Sequence, residues 1–291
     1  MLWPLRVLGL LIAATLACAA AHTADAEPRL ANACGRAAFR VIIDVGHTAQ
    51  APGAISARGV PEFVFNLNLA KRIEQQLRAD GFRRSVLLIT EGPSLKALMD
   101  RVKRANALGA DLFLSIHHDS VPDRFLEKWE FEGHERTFSD HFHGHSIFIS
   151  QDSSDRAGSL LFARLLGSQL LERGLHYTPH YTERYMGNRQ RLLIDALTGV
   201  YRYDQLIVLR DTDMPAVLLE AGSIINREEE LRMGSVKHQS LISAAVADAV
   251  ESFCRARRLP APTNAASREG EVSKQATAPA AVAPVPTTKQ R

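Results

Sequence analysis

Short apolar runs rich in Val, Ile and Leu alternate along this chain with stretches whose apolar residues recur at helical spacing. No other feature limits the fold as much. Residues 39–44, 86–90, 111–116, 146–150, 205–209 and 216–220 read as buried strands. Residues 65–78 carry Leu69, Ile73 and Leu77 at helical spacing and stop at Gly81; residues 95–108 stop at Gly109. Residues 160–173 and 240–255 complete the helical segments. Strands and helices in alternation predict an α/β sheet with helices on both faces. In such sheets the site lies beyond the carboxyl ends of the strands. Three of these runs end at or beside residues able to do chemistry: His47, His117 and Glu220.

Composition supports one globular body. Apolar residues are 46% and charged residues 23% of 291, which excludes wholesale disorder, collagen and coiled coil. The net charge is +3 without a run of like charges in the body, which argues against nucleic acid as the main partner and leaves a polyanionic surface or substrate open. Arg6 precedes an apolar run over 7–21, and Ala24-Asp25-Ala26 offers a cleavage site. Residues 1–26 therefore read as a secretory signal peptide; the run is shorter than the ~20 residues a membrane span needs. No later stretch is long enough to span, so no stable membrane span is expected after cleavage. Residues 260–291 hold five Pro with many Ala and Thr and no aromatic, and read as a disordered tail. The folded domain is then residues 36–257. Three cysteines are too few for a disulfide scaffold. With Cys18 removed along with the signal, Cys34 and Cys254 remain for an oxidising compartment, and one bridge between them is predicted.

His47, Glu62 and His117 have the composition of a catalytic zinc site, which takes three protein ligands and keeps one position for water. Glu220 suits the carboxylate that takes and returns a proton. Taken singly, a histidine at a strand end is more often structural. The surrounding sequence changes that balance. Val41-Ile42-Ile43-Asp44-Val45-Gly46-His47, then Pro52-Gly53-Ala54, Gly59-Val60-Pro61-Glu62 and Asn66, resembles the opening of the zinc-dependent N-acetylmuramoyl-L-alanine amidases of the type-3 family. Ser115-Ile116-His117-His118-Asp119-Ser120 resembles that family's second histidine motif. The stretch from Met214 through Glu220 to Asn226, followed by Glu228-Glu229-Glu230, resembles its catalytic glutamate motif.

The resemblance covers nearly the whole body. It implies a mixed, mostly parallel sheet in a single phosphorylase/hydrolase-like domain, one Zn²⁺ on His47, Glu62 and His117, and Glu220 as catalytic carboxylate. It implies hydrolysis of the amide between N-acetylmuramic acid and L-alanine in peptidoglycan or muropeptides, in the periplasm or outside the cell, with an activator protein as a further partner. The motif departs from the family at Val45 and Thr48-Ala49, where Pro and small glycines are usual, and at His118 beside the second ligand. Strand alternation sends His117 and His118 to opposite sides, so only His117 is expected on the metal.

Other residues keep two readings. Asp44 either orients His47 or is a solvated strand end; Asp119 has the same pair, with the solvated reading favoured. Asn66 is a helix cap, a helix-face residue or part of the site. Residues 121–145 carry His134, His141, His143 and His145: an exposed loop, a metal cluster or a lid over the zinc. Residues 176–198 carry Tyr177, Tyr181 and Tyr185 with Arg184, Arg189 and Arg191: a surface helix, or contacts to sugars and peptide carboxylates. Two alternatives to the amidase stay open, a zinc peptidase on muropeptides and a non-catalytic wall-binding module.

Overall fold

The computed structural model describes residues 34–258. The predicted signal peptide and the tail after residue 260 lie outside the described residues. The first apolar run forms β1 (Val41–Val45), buried at every position. Pro61 opens α1 (Glu62–Ala79), which begins three residues before the predicted 65 and so takes Glu62 into its first turn. β2 (Val86–Leu88), α2 (Ser94–Leu108) and β3 (Leu112–Asp119) follow, with Gly109 ending α2 in the left-handed conformation its φ of 54° requires. β3 runs past the expected end at residue 116, so His117, His118 and Asp119 belong to the strand.

Residues 121–145 are not a plain loop. They contain a hairpin of β4 (Glu127–Phe131) and β5 (His134–Phe138), closed by Glu132 and Gly133, both at positive φ. Then come β6 (Ser146–Ile149), α3 (Arg156–Glu172, capped by Asp155), β7 (Leu192–Asp195) and β8 (Val200–Arg202). The expected strand at 205–209 is instead a short helix, α4 (Ile207–Arg210), whose residues Val208 and Leu209 pack under Met214 and Leu218. Its β-branched composition is overridden by this tertiary packing. β9 (Ala216–Ser223), α5 (Arg227–Gly234) and α6 (Val236–Arg258) complete the body.

The strands form one seven-stranded sheet in the order β2-β1-β3-β9-β6-β8-β7. β2, β1, β3 and β9 are mutually parallel; β6 meets β9 and β7 meets β8 in antiparallel fashion. The expected mixed, mostly parallel sheet is therefore present. Alternate residues send Ile43, Leu114 and Leu219 into a core with α1, α3 and α6, and Ile42, Phe113 and Leu218 into a second core on the opposite face. Cys34 is bridged to Cys254 of α6, with Cα atoms 5.3 Å apart, as predicted. The central strands β1, β3 and β9 lie side by side, which brings the motifs at their carboxyl ends together.

Candidate metal centre and acid–base site

His47 follows β1 directly and has φ +66°, an unusual value for a residue with a Cβ. The strain is held by hydrogen bonds. Arg101 of α2 donates from Nη2 to the carbonyls of Val45 and His47. Thr48 Oγ1 donates to Gly92 O at 2.8 Å and accepts from Ala51 N at 2.9 Å. Of the departures from the family motif, Val45 ends β1, and Thr48 sits in a loop with its own ties.

Glu62 is the hub. His47 Nε2 lies 2.9 Å from its Oε2, and His117 Nδ1 lies 3.0 Å from its Oε1. Ala54 N donates to Oε2 at 3.2 Å; Asn66 Nδ2 and His118 N donate to Oε1 at 3.1 and 3.3 Å. Burial opposes ionisation of Glu62, but the hydrogen bonds from His117 and His47 and their charges outweigh it and hold the carboxyl well below the usual range. One ligand atom from each of His47, Glu62 and His117 falls within 4.8 Å of the other two. Among the described residues no other such group of His, Cys, Asp or Glu occurs. The surrounding backbone fits closely. A Cβ on Gly46 would stand 2.5 Å from the His117 ring, and one on Gly53, at φ +81°, would stand 2.4 Å from Glu62 Oε2.

His118 points away from this group, as alternation requires. It is buried against Phe65, and its Nδ1 lies 2.8 Å from Asn66 Oδ1. Asn66 is no cap. Its Nδ2 is spent on Glu62 and on Gly46 O at 3.2 Å, so Oδ1 accepts and His118 Nδ1 carries the proton. Burial keeps His118 neutral, its pKa pushed down to about 3. Asp44 likewise matches neither expectation. It is fully buried, paired with Arg101 Nε at 3.0 Å and accepting from Ser115 Oγ at 2.7 Å. It reaches His47 only through Arg101. Arg101 lies outside the motifs that mark the site in the sequence, although a charged residue in register with Ala97 and Ala105 on a helix's buried face is a signal.

Glu220 stands beside His117 in the adjacent strand, in direct register, so both side chains leave the same face of the sheet. Its Oε2 is buried without a hydrogen-bond partner among the described residues. Burial, then the charges of Asp119 and Glu62, push its pKa well up, and Arg189 opposes them. Asp119 is buried rather than solvated, and accepts from the Tyr181 hydroxyl at 2.8 and 2.9 Å and from Arg189 Nη2 at 3.2 Å. The tyrosines do not share a helix. The chain makes two 3-10 turns, His180–Thr182 and Arg184–Arg189, that bury Tyr181, leave Tyr185 exposed and set Tyr177 against Tyr201. A cavity of about 180 Å³ opens at His47 and His117, walled by Ala97, Leu98, Leu206 and Val208.

The histidines of 121–145 do not join the centre. His134, His141 and His143 are exposed, and His145 is buried with both ring nitrogens unpartnered among the described residues. The hairpin packs on the segment before Glu62: Trp129 Nε1 donates to Ala57 O at 3.0 Å, and Arg58 lies over Trp129 and Phe131.

Residues 41–252 match the family described as N-acetylmuramoyl-L-alanine amidase. The N-acetylmuramoyl-L-alanine amidase AmiA of Escherichia coli K12 is 27% identical over 239 residues, covering 73% of this chain and 75% of that protein. AmiC of Neisseria meningitidis serogroup B, of the same description, is 26% identical over 225 residues, covering 73% of this chain and 52% of that protein. Among solved structures, the amidase Ami1 of Mycobacterium smegmatis superposes with a TM-score of 0.59 at 19% identity, covering 76% of this chain and 98% of that one. The CwlD amidase of Clostridioides difficile, solved in complex with the GerS lipoprotein, superposes with a TM-score of 0.52 at 18% identity, covering 74% of this chain and 98% of that one.

Proposed function

The chain belongs to the N-acetylmuramoyl-L-alanine amidases, enzymes that act on peptidoglycan, and from that premise we propose that His47, Glu62 and His117 hold one zinc ion and that Glu220 moves the protons. The observation that carries this reading is the convergence of both imidazoles on one buried carboxylate, at 2.9 and 3.0 Å, with Glu220 in register beside His117. Two histidines and one carboxylate are a usual donor set for catalytic zinc. Zinc bound there is a Lewis acid that polarises the scissile carbonyl and makes a water molecule acidic.

The chain's own residues supply the rest. Asn66, Ala54 and the amide of His118 fix the Glu62 carboxylate, so it presents a set orientation. Arg101 holds the loop that aims His47. Glu220 Oε2, without a hydrogen-bond partner among the described residues, is free to accept a proton from the attacking water. The bond between the lactyl carbonyl carbon and the L-alanine nitrogen breaks, hydroxide adds to the carbon, and Glu220 returns the proton to the leaving amine. The products are the free carboxylate of the muramic acid and an intact stem peptide with an L-alanine amine.

The bridge between Cys34 and Cys254 supports a periplasmic or extracellular setting. No helix among the described residues is long and apolar enough to cross a membrane. A relative solved with a lipoprotein supports regulation by a partner protein. Digestion of intact sacculi and of purified muropeptides, with and without a chelator, tests the reading. The expected outcome is an L-alanine amine on an intact stem peptide, abolished by chelation and restored by zinc. A new amine on any other residue, with L-alanine still bound to the sugar, favours the peptidase alternative.

A further inference from the structure

The cavity at His47 and His117 has an apolar wall. α2 and α4 pack against each other, and the small side chain of Ala97 leaves room between Leu98, Leu206 and Val208. The polar residues on the wall are engaged elsewhere. Thr48 Oγ1 is taken by Gly92 O and Ala51 N, and the Arg101 guanidinium by Asp44 and two carbonyls. Ser94 is exposed at the start of α2. The remaining space, about 180 Å³, suits an apolar group. An apolar cavity of about 150 Å³ holds a benzene molecule, so this one has room for about six carbons. The lactyl group of the amidase substrate offers a single methyl, which fills only a small part of it.

Both proposed imidazole ligands line the cavity, so a group inside it adjoins the reacting carbonyl. Glu220 does not line it, although Glu220 stands in register with His117. In the proposed mechanism Glu220 returns the proton to the amide nitrogen, so the nitrogen and the leaving peptide face Glu220. The chain on the other side of the carbonyl carbon is then directed to the flank of the imidazoles that Glu220 leaves free, where the cavity opens.

We propose that this cavity is an acyl pocket, and that the protein also hydrolyses N-acyl-L-alanyl peptides whose acyl group is a short aliphatic chain in place of the muramoyl group. Water adds to the acyl carbon, the carbon–nitrogen bond breaks, and the products are the aliphatic carboxylate and the peptide amine. The inference rests on the amidase reading. One L-alanyl peptide, acylated with acetyl, butanoyl, hexanoyl, decanoyl or N-acetylmuramoyl groups, tests it on zinc-loaded full-length protein. From acetyl to hexanoyl, kcat/KM is expected to rise about fourfold per added methylene, and to level off beyond, once the cavity is full. Ala51→Leu, on the half-buried part of the wall, should move the optimum to butanoyl; Val208→Ala should move it to longer chains. Calorimetric binding of the same peptides to zinc-loaded Glu220→Gln should show the same length dependence without turnover, with a heat-capacity change that grows more negative per methylene. A flat series, a rise that continues unbroken to decanoyl, or an optimum that neither substitution moves overturns the proposal. Cleavage of the muramoyl peptide with a flat acyl series removes the pocket and leaves the amidase reading standing. Cleavage of the acyl peptides alone contradicts the amidase reading and keeps the pocket, and cleavage of none contradicts both.

Discussion

Arg101 shows how a residue without any contact to the proposed metal can decide its affinity. It neutralises the buried Asp44 and ties down the carbonyls on either side of Gly46. Arg101→Met leaves Asp44 buried without its partner, a change that typically lowers stability by 3–5 kcal/mol. It also frees His47 from its strained conformation, so zinc affinity should fall by ~10–100-fold, as for other outer-shell losses. Denaturant unfolding and metal titration measure the two effects separately; an unchanged zinc affinity would make the clamp purely structural. His145 carries a pH prediction. Burial, and then the charge of His176, push its pKa from 6.5 down to about 4. Because the folded value is the lower one, the unfolded chain takes up the proton first as pH falls. The stability due to the neutral ring is complete above pH ~6.5 and is lost towards pH ~4, at about 1.4 kcal/mol per pH unit. His145→Leu should flatten the pH dependence of unfolding in that window by about one proton; identical slopes in both proteins would contradict this. The grouping of His47, Glu62 and His117, and the place of Glu220 beside His117, were legible because the motifs restrict the residue types and strand ends restrict the places. Arg101, the pair Asn66 and His118, and the cluster of Asp119, Tyr181 and Arg189 were not legible as partners. Each joins residues 50 or more apart in sequence, brought together only by packing.

At the scale of elements, the strands and long helices followed from periodicity because each has one buried face. The errors fall where that rule weakens. Ile207, Val208 and Leu209 suggest a strand by composition, yet form a helix because α2 and β9 offer it a packing surface. The hairpin of β4 and β5 resembles a loop in sequence because its outer residues, such as Glu127, Lys128 and Glu130, are charged and exposed. Its signal was the alternation of Trp129 and Phe131 before a two-residue turn ending in Gly133. The hairpin leaves from the strand that carries His117 and packs on the segment leading to Glu62. Replacing residues 127–138 by a short Gly-Ser turn should therefore change the rate on intact wall more than on small muropeptides. Equal effects on both substrates would mean that the hairpin takes no part in access.

At the scale of the whole molecule, one covalent tie joins the two ends of the folded body, Cys34 before β1 and Cys254 on the last helix. A loop this long, closed in the unfolded chain, stabilises by roughly 4 kcal/mol in the chain-entropy model. Replacing both cysteines by serine should lower the unfolding free energy by about that amount, and the denaturation midpoint with it, while leaving zinc content unchanged in the folded protein; an unaltered midpoint would rule out a stabilising bridge. The proposed mechanism turns on a division of labour between two carboxylates, Glu62 and Glu220, that the fold sets on neighbouring elements around His117. Metal content and single-turnover hydrolysis, measured together on Glu220→Gln, Glu62→Gln and His117→Ala, test it most directly. Glu220→Gln should keep zinc near full occupancy and lose at least the ~10²–10⁴-fold typical of general acid–base catalysis. Glu62→Gln and His117→Ala should lose zinc, and activity with it. Loss of zinc in Glu220→Gln with retention in Glu62→Gln would show that the two roles are exchanged, and a Glu220→Gln variant that keeps both metal and activity would contradict the mechanism.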